Sequence, residues 1–192
     1  IKETLKLSEY EIADMISSIT DEKVKEGLMQ SYELSNESKV SIIKNFSDDE
    51  KEKLILGDEL DLNYMDFETI MSSMGIDNLI QLLNNNTDFF KESGVRLHKV
   101  VEMLNNEKQK EFVSKIDELQ LPNIEKRASM VMLKDEVKSE IDAQNMPEEL
   151  KTAIQMKSKY GNVIIDFNKN LEEYRGLDKL ISAEPTKLPE ED

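Results

Sequence analysis

Apolar residues recur along this chain at intervals of three and four, the spacing that lines one face of a helix. Ile12, Met15, Ile16 and Ile19 follow it near the start, and Ile164, Phe167, Leu171 and Tyr174 near the end. Sustained alternation of apolar and polar positions is absent, so no strand is predicted. The run Val163-Ile164-Ile165 continues into Phe167 and Leu171 at helical spacing and reads as helix.

Polar punctuation divides the periodic segments. Ser8 precedes the first, with Glu11 three residues on, the pattern of a capping box. Gly57, Gly75, Gly94 and Gly161 read as helix ends or turns. Pro122 and Pro147 read as first-turn residues of new helices, and Glu148 and Glu149 suit the positive end of the second.

One junction pattern recurs: an apolar residue, a capping polar residue, then acids and a lysine. It stands at Ile19-Thr20-Asp21-Glu22-Lys23, at Phe46-Ser47-Asp48-Asp49-Glu50-Lys51 and at Leu104-Asn105-Asn106-Glu107-Lys108. Thr, Ser or Asn there would accept from the free N–H groups of the next helix. Met74-Gly75-Ile76-Asp77 is a degenerate copy. The anchors Ile19, Phe46, Met74 and Leu104 lie 27, 28 and 30 residues apart, and Leu133 lies 29 further on. A second apolar residue follows each: Leu28, Leu54, Leu82, Phe112 and Ile141.

This is the cadence of a stacked helix–turn–helix unit of roughly 28 residues. An irregular bundle with chance spacing is the alternative. The fifth copy, Leu133-Lys134-Asp135-Glu136, lacks a cap, which predicts one longer helix over 124–144. The expected fold is therefore all-α, an antiparallel array of about eight to ten helices with an α-solenoid-like repeat. Residues 1–145 form the repeat-like region, 146–182 a C-terminal helical pair that caps it, and 183–192 a disordered acidic tail.

Composition narrows the chemistry. The chain has 192 residues and no Cys, so a disulfide framework, a thiol nucleophile and a Cys-built zinc site are excluded. A net charge of −16 argues against binding nucleic-acid backbones or anionic membrane surfaces. No apolar run is long enough to cross a bilayer, so direct membrane insertion is not expected. The chain starts at Ile1 with no signal-peptide pattern, and reads as a cytoplasmic fragment of a longer protein.

Catalytic motifs are missing. The glycines are isolated, with no phosphate-cradling loop and no nucleophile elbow. His98, the sole histidine, has no local orienting partner and reads as a structural helix residue. The acids between Asp58 and Glu68 fail the calcium-loop pattern, since Leu60 and Leu62 stand where oxygen ligands are needed. No catalytic, cofactor-binding or metal residue is assigned, and no cofactor is expected. Most of the methionines, among them Met71, Met74, Met103, Met130, Met132 and Met156, continue apolar stripes and read as core.

Aromatics are the best candidates for contact with a partner. Phe89 and Phe90 follow Asn84-Asn85-Asn86-Thr87-Asp88, where one helix ends and another begins. Adjacent residues cannot both face one core, so one is expected to be exposed or wedged between repeats. Tyr64, in a connection, is the third candidate.

The cadence from Phe46 to Leu54 resembles the helical repeats of bacterial superhelical domains, such as the cytoplasmic domain of MgtE-type magnesium transporters and the flagellar switch family. The Lys/Glu/Asn/Ile-rich composition and the Glu190-Glu191-Asp192 end resemble helical effectors exported by intracellular bacterial pathogens. The latter resemblance implies a host-cytosolic protein that binds or modifies host proteins. The expected function is a non-enzymatic interaction or scaffolding domain whose protein partner carries a basic patch. The rivals are a carboxylate- or metal-dependent enzyme segment and a divalent-cation-sensing regulatory domain.

Overall fold

The computed structural model describes residues 7–57, 60–141 and 146–155. Every regular element among them is helical. The described residues hold twelve α-helices, more than the eight to ten expected, because each is short. The first six are α1 (Glu9–Ser17), α2 (Glu22–Ser31), α3 (Asn36–Ile43), α4 (Asp48–Leu56), α5 (Tyr64–Ser73) and α6 (Ile76–Asn85). Then come α7 (Thr87–Ser93), α8 (Leu97–Met103), α9 (Asn106–Ser114) and a 3-10 turn at Ile116–Glu118. The last are α10 (Asn123–Val131), α11 (Asp135–Glu140) and α12 (Glu148–Gln155).

Contacts follow a simple order. α1 packs on α3, α3 on α5, α5 on α8, α8 on α10 and α10 on α12. Beside this series, α6 packs on α9 and α9 on α11. α2 packs on α1, and α4 on α5. The apolar anchors fill the space between: Phe46, Met74, Leu104 and Leu133 are buried, and so are Leu54, Leu82 and Phe112.

The junctions show why the helices stop so often. Ser8 accepts from the Glu11 N–H while the Glu11 carboxylate accepts from the Ser8 N–H, the capping box read from sequence. Ser47 caps α4 and Asn105 caps α9 as expected. At the first junction Asp21, not Thr20, is the cap, accepting from the Val24 N–H. Pro122 and Pro147 stand one residue before their helices, not in the first turn.

The long helix expected over 124–144 is instead two, broken at Met132–Lys134. Lys134 cannot cap through its own side chain. The Gln109 side-chain oxygen accepts the Lys134 N–H at 2.9 Å, and the Lys134 ammonium donates to the Leu104 carbonyl at 2.8 Å. A neighbouring helix supplies what the local sequence lacks.

This device recurs. Glu9 accepts from the Ser35 N–H, Glu22 from the Ser47 N–H, Asp48 from the Gly75 N–H and Glu68 from the Arg96 N–H. With Gln109 and Lys134, these bonds join residues 26, 25, 27, 28 and 25 positions apart. The opposite ends are closed by amines and amides. Lys108 donates to the carbonyls of Ser72, Ser73 and Met74, Gln109 to Val101 and Lys138 to Val131. A cation at a helix C-terminus satisfies free carbonyls and opposes the dipole.

Of the expected C-terminal pair, the first helix is α12, which packs on α10. The second, Met156 and the tail lie outside the described residues.

Candidate functional site

The most elaborate polar geometry lies where α5 meets α8. Gly94 ends α7 at φ 80°, a left-handed turn that glycine adopts without strain. The chain then extends through buried Val95 to Arg96, which opens α8. Arg96 has no capping oxygen. Its N–H and Nε both donate to Glu68 Oε1 at 2.9 Å, and Nη2 donates to Oε2 at 3.1 Å. The Glu68 carboxylate is buried and satisfied by one arginine, the fork geometry that only a guanidinium offers.

Tyr64, the first residue of α5, lies over this pair, its ring centroid 5.1 Å from the Arg96 guanidinium carbon. It remains 39% exposed. Met65 beside it and Met103 at the end of α8 are 52% and 44% exposed. Thr69 links them, donating to the Met65 carbonyl at 2.9 Å and touching the Met103 sulfur at 4.0 Å. An exposed apolar surface thus spans the α5–α8 stack.

Its edge is acidic. Glu102, next to Met103, lines an open depression of about 350 Å³ with Met132, Leu133, Lys134, Asp135 and Glu136. The Lys134 ammonium is held by the Leu104 carbonyl. Lys99 pairs with Glu102, but Asp135 and Glu136 are exposed at the start of α11.

Phe89 is half-buried, not exposed, and lies 6.0 Å from Phe67 of α5 and 5.1 Å edge-on from Phe90. Phe90 is buried in the core. Of the three aromatics expected to meet a partner, Tyr64 alone is among the exposed large hydrophobics. Met65, Met103 and Arg96 were not anticipated. The 28-residue separation of Glu68 and Arg96, equal to one anchor interval, was the signal available for the last.

Two other polar side chains are buried without a strong partner. Neither His98 ring nitrogen has a hydrogen-bond partner among the described residues. Burial, with Arg96 and Lys99 adding repulsion, pushes its pKa down to about 3, so the ring is neutral. Burial pushes Glu125 on α10 up to about 8. Asp48 is committed to structure: partial burial works against its charge, but bonds from Asn78, Gly75 and Lys51 hold its carboxyl below the usual range. Among the described residues no three His, Asp or Glu side chains form a metal-holding group, and no helix is long and apolar enough to cross a membrane. Neither a family model, nor a curated protein, nor a solved structure matches the chain.

Proposed function

We propose that this chain is a non-enzymatic, repeat-built scaffold that binds another protein across Tyr64, Met65 and Met103. The carrying observation is the juxtaposition of that apolar surface with the acidic depression at Glu102, Asp135 and Glu136. Exposed aromatic and methionine side chains provide anchoring area. The flanking acids favour a partner with Lys or Arg beside its apolar contact. The Glu68–Arg96 pair holds Tyr64 in place, so its ring is presented on a fixed support. Side-chain bonds at separations of 25–28 residues, close to the anchor spacing of 27–30, support a repeat-built frame.

Affinity capture with the intact chain tests this. A partner retained by the native chain should be lost with Tyr64→Ala or Met103→Asp, and its retention should weaken with Glu136→Lys and with rising salt. Unfolding midpoints unchanged by these substitutions would show that the frame is intact. Retention indifferent to all three substitutions would overturn the assignment.

A further inference from the structure

The first hairpin, α1 and α2, carries an apolar face that no other part of the described structure covers. Met15 stands four residues before the anchor Ile19. The residues at the same place before the later anchors are Ile42, Ile70, Val100 and Ser129, all 0% exposed. Met15 is 52% exposed. Ile19 and Leu28 are only half-buried, while their counterparts Phe46 and Leu54 are buried. Val24, four residues before Leu28 on α2, is 47% exposed.

Helix geometry places these residues away from the rest of the array. The bonds of the first hairpin to the second run from Glu9, Glu22 and Glu26, to Ser35, Ser47 and Lys53. At 100° per residue, Val24 and Leu28 lie on the side of α2 opposite Glu22 and Glu26. Met15 lies about 120° around α1 from Glu9, on its flank, and Ile19 follows just past the helix end. Ser18, Gly27 and Ser31 lie beside these residues, the exposed Glu11 and Asp21 flank them, and a Cβ at Gly27 would meet nothing within 4 Å.

Resting on the stacked arrangement proposed above, we infer that this face docks one further helical hairpin of the same design. Continuity with the internal interface argues for it. Where this hairpin has Met15, Ile19 and Leu28, the following hairpins carry buried residues, whereas the place of Val24 is taken there by Glu50, Asn78 and Lys108. Charge sets one feature of the incoming hairpin. Inside the array Glu22 reaches the Ser47 cap, but the cap at the free end is Asp21. A carboxylate arriving there would face another carboxylate. The docking hairpin therefore brings an amide at that place, as Gln109 does for Lys134.

The experiment adds such a hairpin to the full chain. A second copy of residues 8–34, with Glu22→Gln in the added copy, is inserted between Leu7 and Ser8. Oxidation of the original Met15 by peroxide should slow roughly tenfold, because reaction follows exposure. The unfolding midpoint should rise by several degrees, and Met15→Glu in the original hairpin should abolish the rise. Unchanged Met15 oxidation, or an extended chain that does not fold cooperatively, would overturn the inference. So would dimers of the unextended chain that Met15→Glu dissolves, for then a second copy is the occupant. Large losses of stability from Ile42→Ala and Ile70→Ala would leave the stacked frame standing even if Met15 stays reactive.

Discussion

His98 shows what one buried side chain does to stability. An imidazole with no hydrogen-bond partner has lost its hydration without replacement, a cost that an apolar residue avoids. His98→Leu should raise the unfolding free energy by about 1 kcal/mol, measured by urea titration. Its pH dependence is coupled to that of Glu125. Below pH 6.5 the unfolded chain protonates His98 while the folded chain does not until about 3, so stability falls as pH falls. Above pH 4.5 the unfolded chain ionises Glu125 while the folded chain holds its proton to about 8, so stability falls as pH rises.

Between 4.5 and 6.5 the two slopes cancel. These two groups should give a plateau there and a loss of about 2 kcal/mol on each side. Glu125→Gln should remove the alkaline decline, and His98→Leu the acid one. Denaturation midpoints from pH 3 to 9 check this. The sequence suggested a helix-surface or partly buried histidine, and His98 lies deeper than that, fully buried on α8. Nothing near Glu125 in sequence distinguishes it from exposed acids, because its burial is set by the helices packed on α10.

At the scale of elements, the junctions decide the fold. Caps that act on their own helix were legible: Ser8 with Glu11, Ser47 and Asn105 could be read directly. The break before α11 was not, because the acceptor for the Lys134 N–H stands on α9. Gln109→Leu should therefore cost about 2 kcal/mol, since it strips partners from both Val101 and Lys134. The Glu68–Arg96 pair was hidden for the same reason. Arg96→Met should cost about 3 kcal/mol by leaving the Glu68 carboxylate buried alone, and Arg96→Lys should recover only part of it. Chemical denaturation of the set would expose the difference. Ile42→Ala and Ile70→Ala should each cost about 3 kcal/mol, whereas Met15→Ala should cost under about 1 kcal/mol. The aromatic candidates were harder to place. Tyr64 is exposed because it opens its helix, whereas Phe89 is drawn against Phe67 by the extra helix α7.

For the whole molecule, charge and shape belong together. Part of the acidity has structural work: Glu9, Glu22, Asp48 and Glu68 accept backbone N–H groups that open or precede later helices. Other acids, Asp135 and Glu136 among them, stay exposed. The absence of Cys and of phosphate-binding loops was plain from sequence. Met65 and Met103, which together with Tyr64 form the exposed surface, were not, because methionines in helical stripes usually enter the core.

The bonds between a helix start and a side chain 25–28 positions earlier also set how the chain folds in time. Each closes a loop of similar, modest length, so no bond waits for distant ends to meet. Closure entropy is spent in small equal steps, and the same order of steps is available from several starting points. Refolding after dilution from urea should be fast, and substitutions at Glu22 and Glu68 should slow it by different amounts according to which unit forms first.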